Sequence, residues 1–283
     1  MSGTILVGID VETNGASGEN YARLGPGFLA DLGVRGTWYV TGCILEKSGK
    51  LFLEAAKSGV VDIQIHTYDH LLLKSVLMKV PAGLKIHGKG DWFYRPGGTV
   101  QQIEADLTRC QQVYQGLFGS PARGLTGPWG YYRGLGDRPD LLAIVQSLGI
   151  RFLRAFARNE FDGQPVPMEW QPYFYSLQGH PDILEVMIHD YQDDFYYAAF
   201  KGLADASTYP RHLREMADRV AENDLVWSLC SHDHGCQTPE AFRTKTDWLA
   251  QTVRYARSIG IRFLTASEYY QERMAARGKG QPG

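Results

Sequence analysis

Residues 60–70 read Val60-Val-Asp-Ile-Gln-Ile-His-Thr-Tyr-Asp-His70, and this stretch joins an apolar run to two imidazoles. The run from Val60 to Ile65 has the composition of a buried strand, His66 follows its end, and His70 comes four residues later. Four residues are about one helical turn, so side chains at this spacing can converge on one ion. The stretch therefore predicts a strand that delivers two metal ligands, although a polar turn after a strand has the same composition.

A second apolar run near the N-terminus, Ile5-Leu-Val-Gly-Ile-Asp-Val-Glu12, carries two acids at its end. Asp10 and Glu12 are two residues apart, so their side chains share one face of the strand. Two carboxylates and two imidazoles at strand ends favour a divalent metal held by nitrogen and oxygen. A simple salt bridge is the alternative for Glu12.

Composition describes an ordinary globular protein and excludes few partners. The 283 residues are 44% apolar and 21% charged, and the net charge of −2 gives no reason to expect nucleic acid or an anionic membrane as a partner. Four cysteines without a Cys-x-x-Cys pair favour reduced thiols and a cytoplasmic location. No run approaches the roughly 20 apolar residues of a membrane span. A homo-oligomer remains possible, and a small molecule or oligosaccharide is the expected substrate.

Strand and helix signals alternate along the whole chain, which predicts a parallel α/β fold with right-handed crossovers. The predicted strands lie at residues 4–9, 36–42, 60–65, 150–156, 183–188, 225–230 and 261–264, and the predicted helices at 28–32, 51–57, 99–118, 139–147, 209–223 and 239–258. No shift in composition marks a domain boundary, so residues 1–277 are expected to form one catalytic domain and residues 278–283 a disordered tail.

Polar residues recur just after the predicted strand ends, where the active sites of parallel α/β barrels lie. These residues are Asp10, Glu12, His66, His70, Trp129, Asp193 and His232. Their shared placement predicts one common site. The acids Asp190, Asp193 and Asp194 fit either a solvated turn or a role beside the substrate.

Residues 71–98 lack a regular pattern and carry Trp92, Phe93 and Tyr94, followed by Arg95. Irregular stretches of this length are more often functional loops than linkers. Aromatic faces stack on sugar rings, so the loop is predicted to overhang the site and to contact a sugar, with a plain surface loop as the alternative.

Five segments, in order, resemble the motifs of the polysaccharide deacetylase (NodB-homology, carbohydrate esterase family 4) superfamily. The segments are Ile9–Glu12, Gly36–Gly42, His66–His70, Pro128–Gly130 and Ser228–Asp233. The resemblance spans nearly the whole chain and implies a single-domain, distorted (β/α)7–8 barrel of the NodB-homology type.

The resemblance also implies a role for each matched residue. It makes Asp10 the catalytic base, and it makes Glu12, His66 and His70 the ligands of a divalent metal, for which zinc is the leading candidate. His232 would be the catalytic acid, with His234 as the alternative. Trp129 and Gly130 would supply the oxyanion site, while Trp92 and Asp193 are expected beside the substrate.

Two departures from the family pattern bear on function. Thr126 stands where the family usually has the arginine that orients the base, and Arg133 or Arg154 could replace it. Val11 separates the two acids, as in the branch that contains peptidoglycan deacetylase and PuuE-type allantoinase relatives. The expected activity is metal-dependent removal of an N-acetyl group from an amino sugar or polysaccharide. The alternatives are ring opening of a cyclic amide, as in an allantoinase, and carbohydrate binding on a degenerate scaffold.

Overall fold

The computed structural model describes residues 3–79, 92–159 and 161–279, and strands alternate with helices through all three ranges. The strands are β1 (Thr4–Val11), β2 (Gly36–Val40), β3 (Val61–Ile65), β4 (Val76–Lys79), β5 (Trp92–Arg95), β6 (Gly124–Tyr131), β7 (Phe152–Phe156), β8 (Tyr173–Tyr175), β9 (His180–Glu185), β10 (Val226–His232) and β11 (Arg262–Leu264). The helices are α1 (Ala16–Leu32), α2 (Gly42–Lys57), α3 (Val100–Phe118), α4 (Pro139–Ser147), α5 (Asp194–Lys201), α6 (Tyr209–Asn223), α7 (Pro239–Ser258) and α8 (Ala266–Lys279).

The main sheet has the strand order β10-β1-β2-β3-β6-β7-β9-β8, and β11 also pairs with β1. All of these pairs are parallel except β8 with β9. The chain beyond β9 runs between β7 and β10: the Ile188 N–H donates to the Phe156 carbonyl at 2.7 Å, and the His189 N–H donates to the Ser228 carbonyl at 3.1 Å. These two bonds close the sheet into a distorted barrel, and the predicted α/β fold is confirmed.

The central strands are apolar on both faces because helices cover the outside and side chains fill the inside. All eight residues of β1 are buried, and the strand places Asp10 at its carboxyl end. Burial of this kind stabilises the barrel by about 25 cal/mol for each Å² of apolar surface removed from water. The buried strands therefore fix the positions of the polar residues at their carboxyl ends.

The ends of several helices lie at the residues that the local capping signals indicate. The Thr99 side chain accepts from the Gln102 N–H, and the Gln102 side chain accepts from the Thr99 N–H, which forms a capping box at the start of α3. The helix ends at Gly119, which adopts φ 77°. The predicted bounds of α4, α6 and α7 are also confirmed.

Several predicted bounds are wrong. The segments predicted at 28–32 and 51–57 are only the last turns of α1 and α2, and the strand predicted at 183–188 runs from His180 to Glu185. Helices α5 and α8 were not predicted. Helix α8 ends at Lys279, and the rest of the predicted disordered tail, residues 280–283, lies outside the described residues.

The stretch 71–98 is not irregular throughout. Strands β4 and β5 form an antiparallel ribbon in which Val76 pairs with Arg95 and Lys79 pairs with Trp92. The residues that connect the two strands, 80–91, lie outside the described ranges.

Among the helices of these ranges, none has the length and apolar character needed to cross a bilayer.

Candidate active site

A cavity of about 240 Å³ opens where the carboxyl ends of β1, β3, β6 and β10 meet. Seven of the nine residues predicted for the site line it: Asp10, Glu12, His66, His70, Trp129, Gly130 and His232. The other two, Asp193 and Trp92, do not line it. The structure therefore brings together side chains that are separated by up to 222 positions along the chain.

Glu12, His66 and His70 form a tight cluster on one side of the cavity. Glu12 Oε2 lies 2.9 Å from His66 Nε2 and 2.8 Å from His70 Nε2. The other ring nitrogen of His66, Nδ1, lies 3.1 Å from the Thr126 carbonyl, to which it donates. That bond fixes the tautomer and leaves the Nε2 lone pair facing Glu12, as expected for a metal-ligating histidine.

The spacing of the two histidines predicted that they converge through one helical turn. The structure has no helical turn at this point. Residues 66–70 form a tight loop, in which Thr67 and His70 both adopt φ 55°. The Asp106 carboxylate, on α3, accepts from the N–H groups of Tyr68 at 2.7 Å and Asp69 at 3.2 Å. Asp106 therefore holds the loop in shape, and no local sequence signal identified this role.

The charges in the cluster suit a divalent cation. Burial would raise the pKa of Glu12, but the neighbouring imidazoles, led by the hydrogen bond from His234, hold that pKa well below its usual value. Burial also lowers the pKa of His66, which favours the neutral imidazole that can ligate. One carboxylate and two imidazoles, already oriented by their own hydrogen bonds, fit a catalytic divalent-metal site with room for water.

His232 and His234 have different surroundings, although their rings stack at 5.0 Å. His234 Nε2 lies 2.8 Å from Glu12 Oε1, its side chain is 51% exposed, and the hydrogen bond to Glu12 raises its pKa. His232 is buried, and its Nδ1 lies 3.0 Å from Asp193 Oδ2. The geometry thus associates His234 with the Glu12 cluster and leaves His232 facing Asp10.

Asp193 lies behind His232, away from the cavity. Its carboxylate is 2% exposed, lies 3.6 Å from Lys245 Nζ, and caps the first turn of α5. Burial would raise the pKa of Asp193, but the hydrogen bond from His232 and the charge of Lys245 hold it far below its usual value. Contact with substrate, which was predicted for this acid, does not fit its position; its carboxylate holds the His232 ring instead.

The neighbouring acids are not a solvated turn either. Asp190 Oδ2 lies 2.7 Å from His212 Nε2, and Asp194 Oδ1 accepts from Lys245 at 3.1 Å. Asp190 therefore pairs with His212, whereas Asp193 and Asp194 share Lys245.

Arg154 takes the place left by the missing family arginine. It lies on β7 and is the cross-strand partner of Thr126 on β6, so its side chain enters the barrel beside the expected position. Its Nε donates to Thr126 Oγ1 at 2.9 Å, and its terminal nitrogen donates to Asp10 Oδ1. The other candidate, Arg133, lies beyond β6 with its guanidinium over the Tyr132 ring.

Asp10 and His232 are cross-strand partners at the carboxyl ends of β1 and β10, so their side chains lie side by side in the cavity wall. His232 Nε2 lies 4.0 Å from Asp10 Oδ2, the oxygen that Arg154 does not occupy. Cys230 Sγ lies 3.7 Å from the same oxygen, a neighbour that the sequence reasoning did not identify. A potential acid and a potential base therefore flank one space.

Asp233, next to His232, supports the Glu12 loop. Its carboxylate accepts from the N–H groups of Glu12 and Thr13, each at 3.2 Å, and from Thr13 Oγ1 at 2.9 Å. Asp233 follows β10 directly and thus holds the residues that follow β1. This residue of the matched motif therefore has a structural role.

Trp129 and Gly130 interrupt β6 with left-handed backbone, at φ 68° and 64°. Arg158 donates to the Trp129 carbonyl, and Phe93 of the ribbon stacks on the Trp129 ring at 4.6 Å. A non-glycine residue held at positive φ costs free energy and needs such support, which is typical of functional positions.

The ribbon aromatics do not form one stacking platform. Because successive side chains of a strand alternate between faces, Phe93 is buried, while Trp92 and Tyr94 are 46% and 62% exposed. Trp92 contacts Phe161 and lines an adjoining cavity instead of the catalytic one. The prediction that three aromatics overhang the site together is wrong for this reason.

Sheet order and site place the chain among α/β barrels of the NodB-homology type. The family model described as polysaccharide deacetylase matches residues 17–153, which include His66, His70 and Trp129. The resemblance read from the sequence is confirmed by this match, which covers a little under half of the chain.

Solved structures with this fold agree over nearly the whole chain. A Mycobacterium smegmatis protein provisionally described as a polysaccharide deacetylase is 14% identical, with a TM-score of 0.64 over 98% of this chain and 91% of that one. PuuE allantoinase is 10% identical, with a TM-score of 0.64 over 96% and 90%. A carbohydrate esterase family 4 pseudoenzyme from Bacillus anthracis is 12% identical, with a TM-score of 0.51 over 94% and 65%. No curated protein sequence matches the chain.

Proposed function

We propose that the protein is a metal-dependent hydrolase that removes an N-acetyl group from an amino sugar or polysaccharide. The observation that carries this proposal is the pair formed by Asp10 and His232, which lie 4.0 Å apart on neighbouring strands and beside the Glu12, His66 and His70 cluster. Each member of the pair is held by its own buried partner, Arg154 or Asp193.

Glu12, His66 and His70 would hold the metal, and their donor set supports zinc. When bound, the ion polarises the amide carbonyl and lowers the pKa of water from 15.7 to about 7.

Asp10 would accept the proton of the attacking water. Thr126 holds the Arg154 guanidinium, which donates to one carboxylate oxygen of Asp10, and the other oxygen faces the cavity. The Asp10 carboxylate is therefore held in one orientation. Positioned general bases contribute roughly 10²–10⁴-fold to reaction rates.

His232 would donate a proton from Nε2 to the leaving amine. Its Nδ1–H is held by Asp193 at 3.0 Å, and this bond orients the ring so that Nε2 faces the cavity. The backbone beside Trp129 and Gly130 would stabilise the oxyanion, since the left-handed turn brings those peptide groups to the cavity wall.

The structure weakens the case for a degenerate, merely binding scaffold. That alternative rested on the missing family arginine, and Arg154 contacts Asp10 from the neighbouring strand. Ring opening of a cyclic amide needs the same acid, base and metal, so substrate must separate the two activities.

The test measures acetate release from N-acetylglucosamine and its oligomers, and ring opening of allantoin, with zinc-loaded protein. The matched control is Asp10→Asn, which removes the base and preserves side-chain size. Acetate release that depends on zinc and on Asp10 supports the proposal. Turnover of allantoin alone, or acetate release no greater than that of Asp10→Asn, contradicts it.

A further inference from the structure

A second cavity of about 480 Å³ adjoins the catalytic cavity at Gly130. The ribbon forms one wall through Met78 and Trp92, and Phe161 faces Trp92 with ring centroids 5.4 Å apart. Phe161 is 64% exposed, so the aromatic wall is open to solvent. This side cavity is large enough for a sugar-sized group and too large for an isolated ion.

Arg158 lies in the wall of the side cavity as a buried cation, and no described residue offers it an anion. It is 5% exposed; one terminal nitrogen donates to the Trp129 carbonyl, and the other lies 3.5 Å from Met78 Sδ. Among the described residues, its Nε has no hydrogen-bond partner and no carboxylate lies within salt-bridge distance of its guanidinium. Arg154 differs in this respect, because it is equally buried but paired with Asp10.

A buried charge without a counter-ion is costly, because desolvation removes its interactions with water. Burial lowers the pKa of Arg158, which reflects the same cost. An anionic ligand group that enters the side cavity would offset the desolvation cost of Arg158.

The other charged groups of the side cavity neutralise each other. Lys74 Nζ lies 2.5 Å from Asp137 and also donates to the carbonyls of Tyr132 and Gly134. With that pair matched, the described lining presents one net positive charge, that of Arg158.

We propose that the side cavity binds an oxyanion of the substrate, with Arg158 as its anchor, so that the enzyme acts on N-acylated sugars that carry an acidic group. The inference rests on the proposed function for the reaction, and on the side cavity alone for the acidic group. Arg158 touches both spaces, because it lines the side cavity and binds the carbonyl of Trp129 in the catalytic wall. A carboxylate there would complete the fork of the guanidinium.

The kinetic test compares N-acetylglucosamine with N-acetylmuramic acid, which adds a carboxylate through a lactyl ether, and with N-acetylglucosamine 6-phosphate. Wild-type protein should have a higher kcat/KM for an acidic sugar, and the preferred acid distinguishes carboxylate from phosphate. Arg158→Met should reduce the acidic-to-neutral ratio of kcat/KM by about 10- to 100-fold, the range expected for a charge-assisted hydrogen bond. Arg158→Lys keeps the charge and should retain part of the preference.

Lys79→Met is the matched control. Lys79 lies on the same ribbon, its side chain faces solvent, and its loss removes the same charge outside the side cavity. The ratio should stay at the wild-type value. An equal fall in Lys79→Met and Arg158→Met would reduce the effect to general electrostatics and overturn the proposal.

A binding measurement separates this inference from the reaction. Calorimetric titration of N-acetylmuramic acid into Asp10→Asn protein should show binding, and adding Arg158→Met to that variant should weaken it by about 10- to 100-fold. If no sugar is turned over but this loss appears, the reaction is wrong and the anion site stands. If neutral sugar is turned over and Arg158→Met leaves the ratio unchanged, the anion site is wrong and the reaction stands. Turnover of neutral sugar by Arg158→Met also verifies that the variant folds.

Discussion

The two sides of the catalytic cavity are built in different ways. On the metal-binding side, His66 and His70 come from one five-residue segment, and Glu12 reaches them from the end of β1. On the acid–base side, Asp10 depends on Arg154, 144 positions away, and His232 depends on Asp193, 39 positions away. The metal ligands can therefore be recognised from short motifs, whereas the groups that hold acid and base are recognisable only once the barrel is closed.

The difference also has a functional meaning. Metal ligands are selected by atom type and distance, so a short loop with the right turn suffices. A catalytic acid or base also needs a defined protonation state and orientation, and these depend on buried partners from other strands. Variants on one side can therefore be tested for their effect on the other.

Loss of the metal-binding side should have the largest effect. His66→Ala removes a ligand whose ring is fixed on the Thr126 carbonyl, so metal retention and activity should both be abolished while the circular-dichroism spectrum is kept. Metal content by mass spectrometry and acetate release are the measurements. His212→Ala is the matched control, because His212 pairs with Asp190 away from the cavity and should leave metal content unchanged. Full metal retention in His66→Ala would show that the ligands lie elsewhere.

Loss of the base should be smaller and should spare the metal. Asp10→Asn should lower kcat by about 10²–10⁴-fold with metal content unchanged, because Asp10 is assigned to proton transfer. Glu12→Gln should instead lose metal, since it weakens the carboxylate shared by three histidines. Equal metal loss in the two variants would remove the distinction between the two sides.

The relocated arginine gives a third, more specific test. Arg154→Met should lower activity by about 10- to 100-fold, as is typical when an orienting partner is removed. The double variant Thr126→Arg with Arg154→Thr moves the guanidinium to the cross-strand position that the family usually uses, and it should recover part of the lost rate. A double variant no more active than Arg154→Met would mean that the two positions are not interchangeable.

The smallest effect on activity at neutral pH is expected for His189, whose N–H joins the chain beyond β9 to β10. His189 is fully buried: its Nδ1 accepts from the Ser228 N–H at 3.0 Å and its Nε2 donates to the Trp170 carbonyl at 2.6 Å, so the ring must be neutral. Burial lowers the pKa of His189 from 6.5 to about 4. The unfolded chain therefore binds more protons, and the stability contributed by the neutral ring is complete above pH 6.5 and is lost as pH falls toward 4.

This loss should amount to about 3 kcal/mol in the free energy of unfolding between pH 7 and pH 4. Urea unfolding at a series of pH values measures it. His189→Gln should be less stable at pH 7 and should show a flatter dependence over the same range. An unchanged pH slope in His189→Gln would assign the acid sensitivity to other groups.

The sequence by itself determined the parts that depend on neighbours along the chain. Apolar runs and glycine stops set β1, β3, α3 and α7, because strand and helix periodicity and end signals are local properties. Motif spacing also identified Asp10, Glu12, His66, His70 and His232 as candidates, and the structure brings all five to one cavity.

The tertiary structure alone decided how those residues are held. Thr126 left open which arginine orients Asp10, and only the register of β6 with β7 places Arg154 there. His232 and His234 are equivalent in sequence, and burial against Asp193 separates them. Trp92 was placed in the wrong cavity, because strand alternation in the β4–β5 ribbon is set by pairing with a distant segment. These choices depend on which strands become neighbours and on which groups lose their water, and both are properties of the closed barrel that no local stretch of sequence contains.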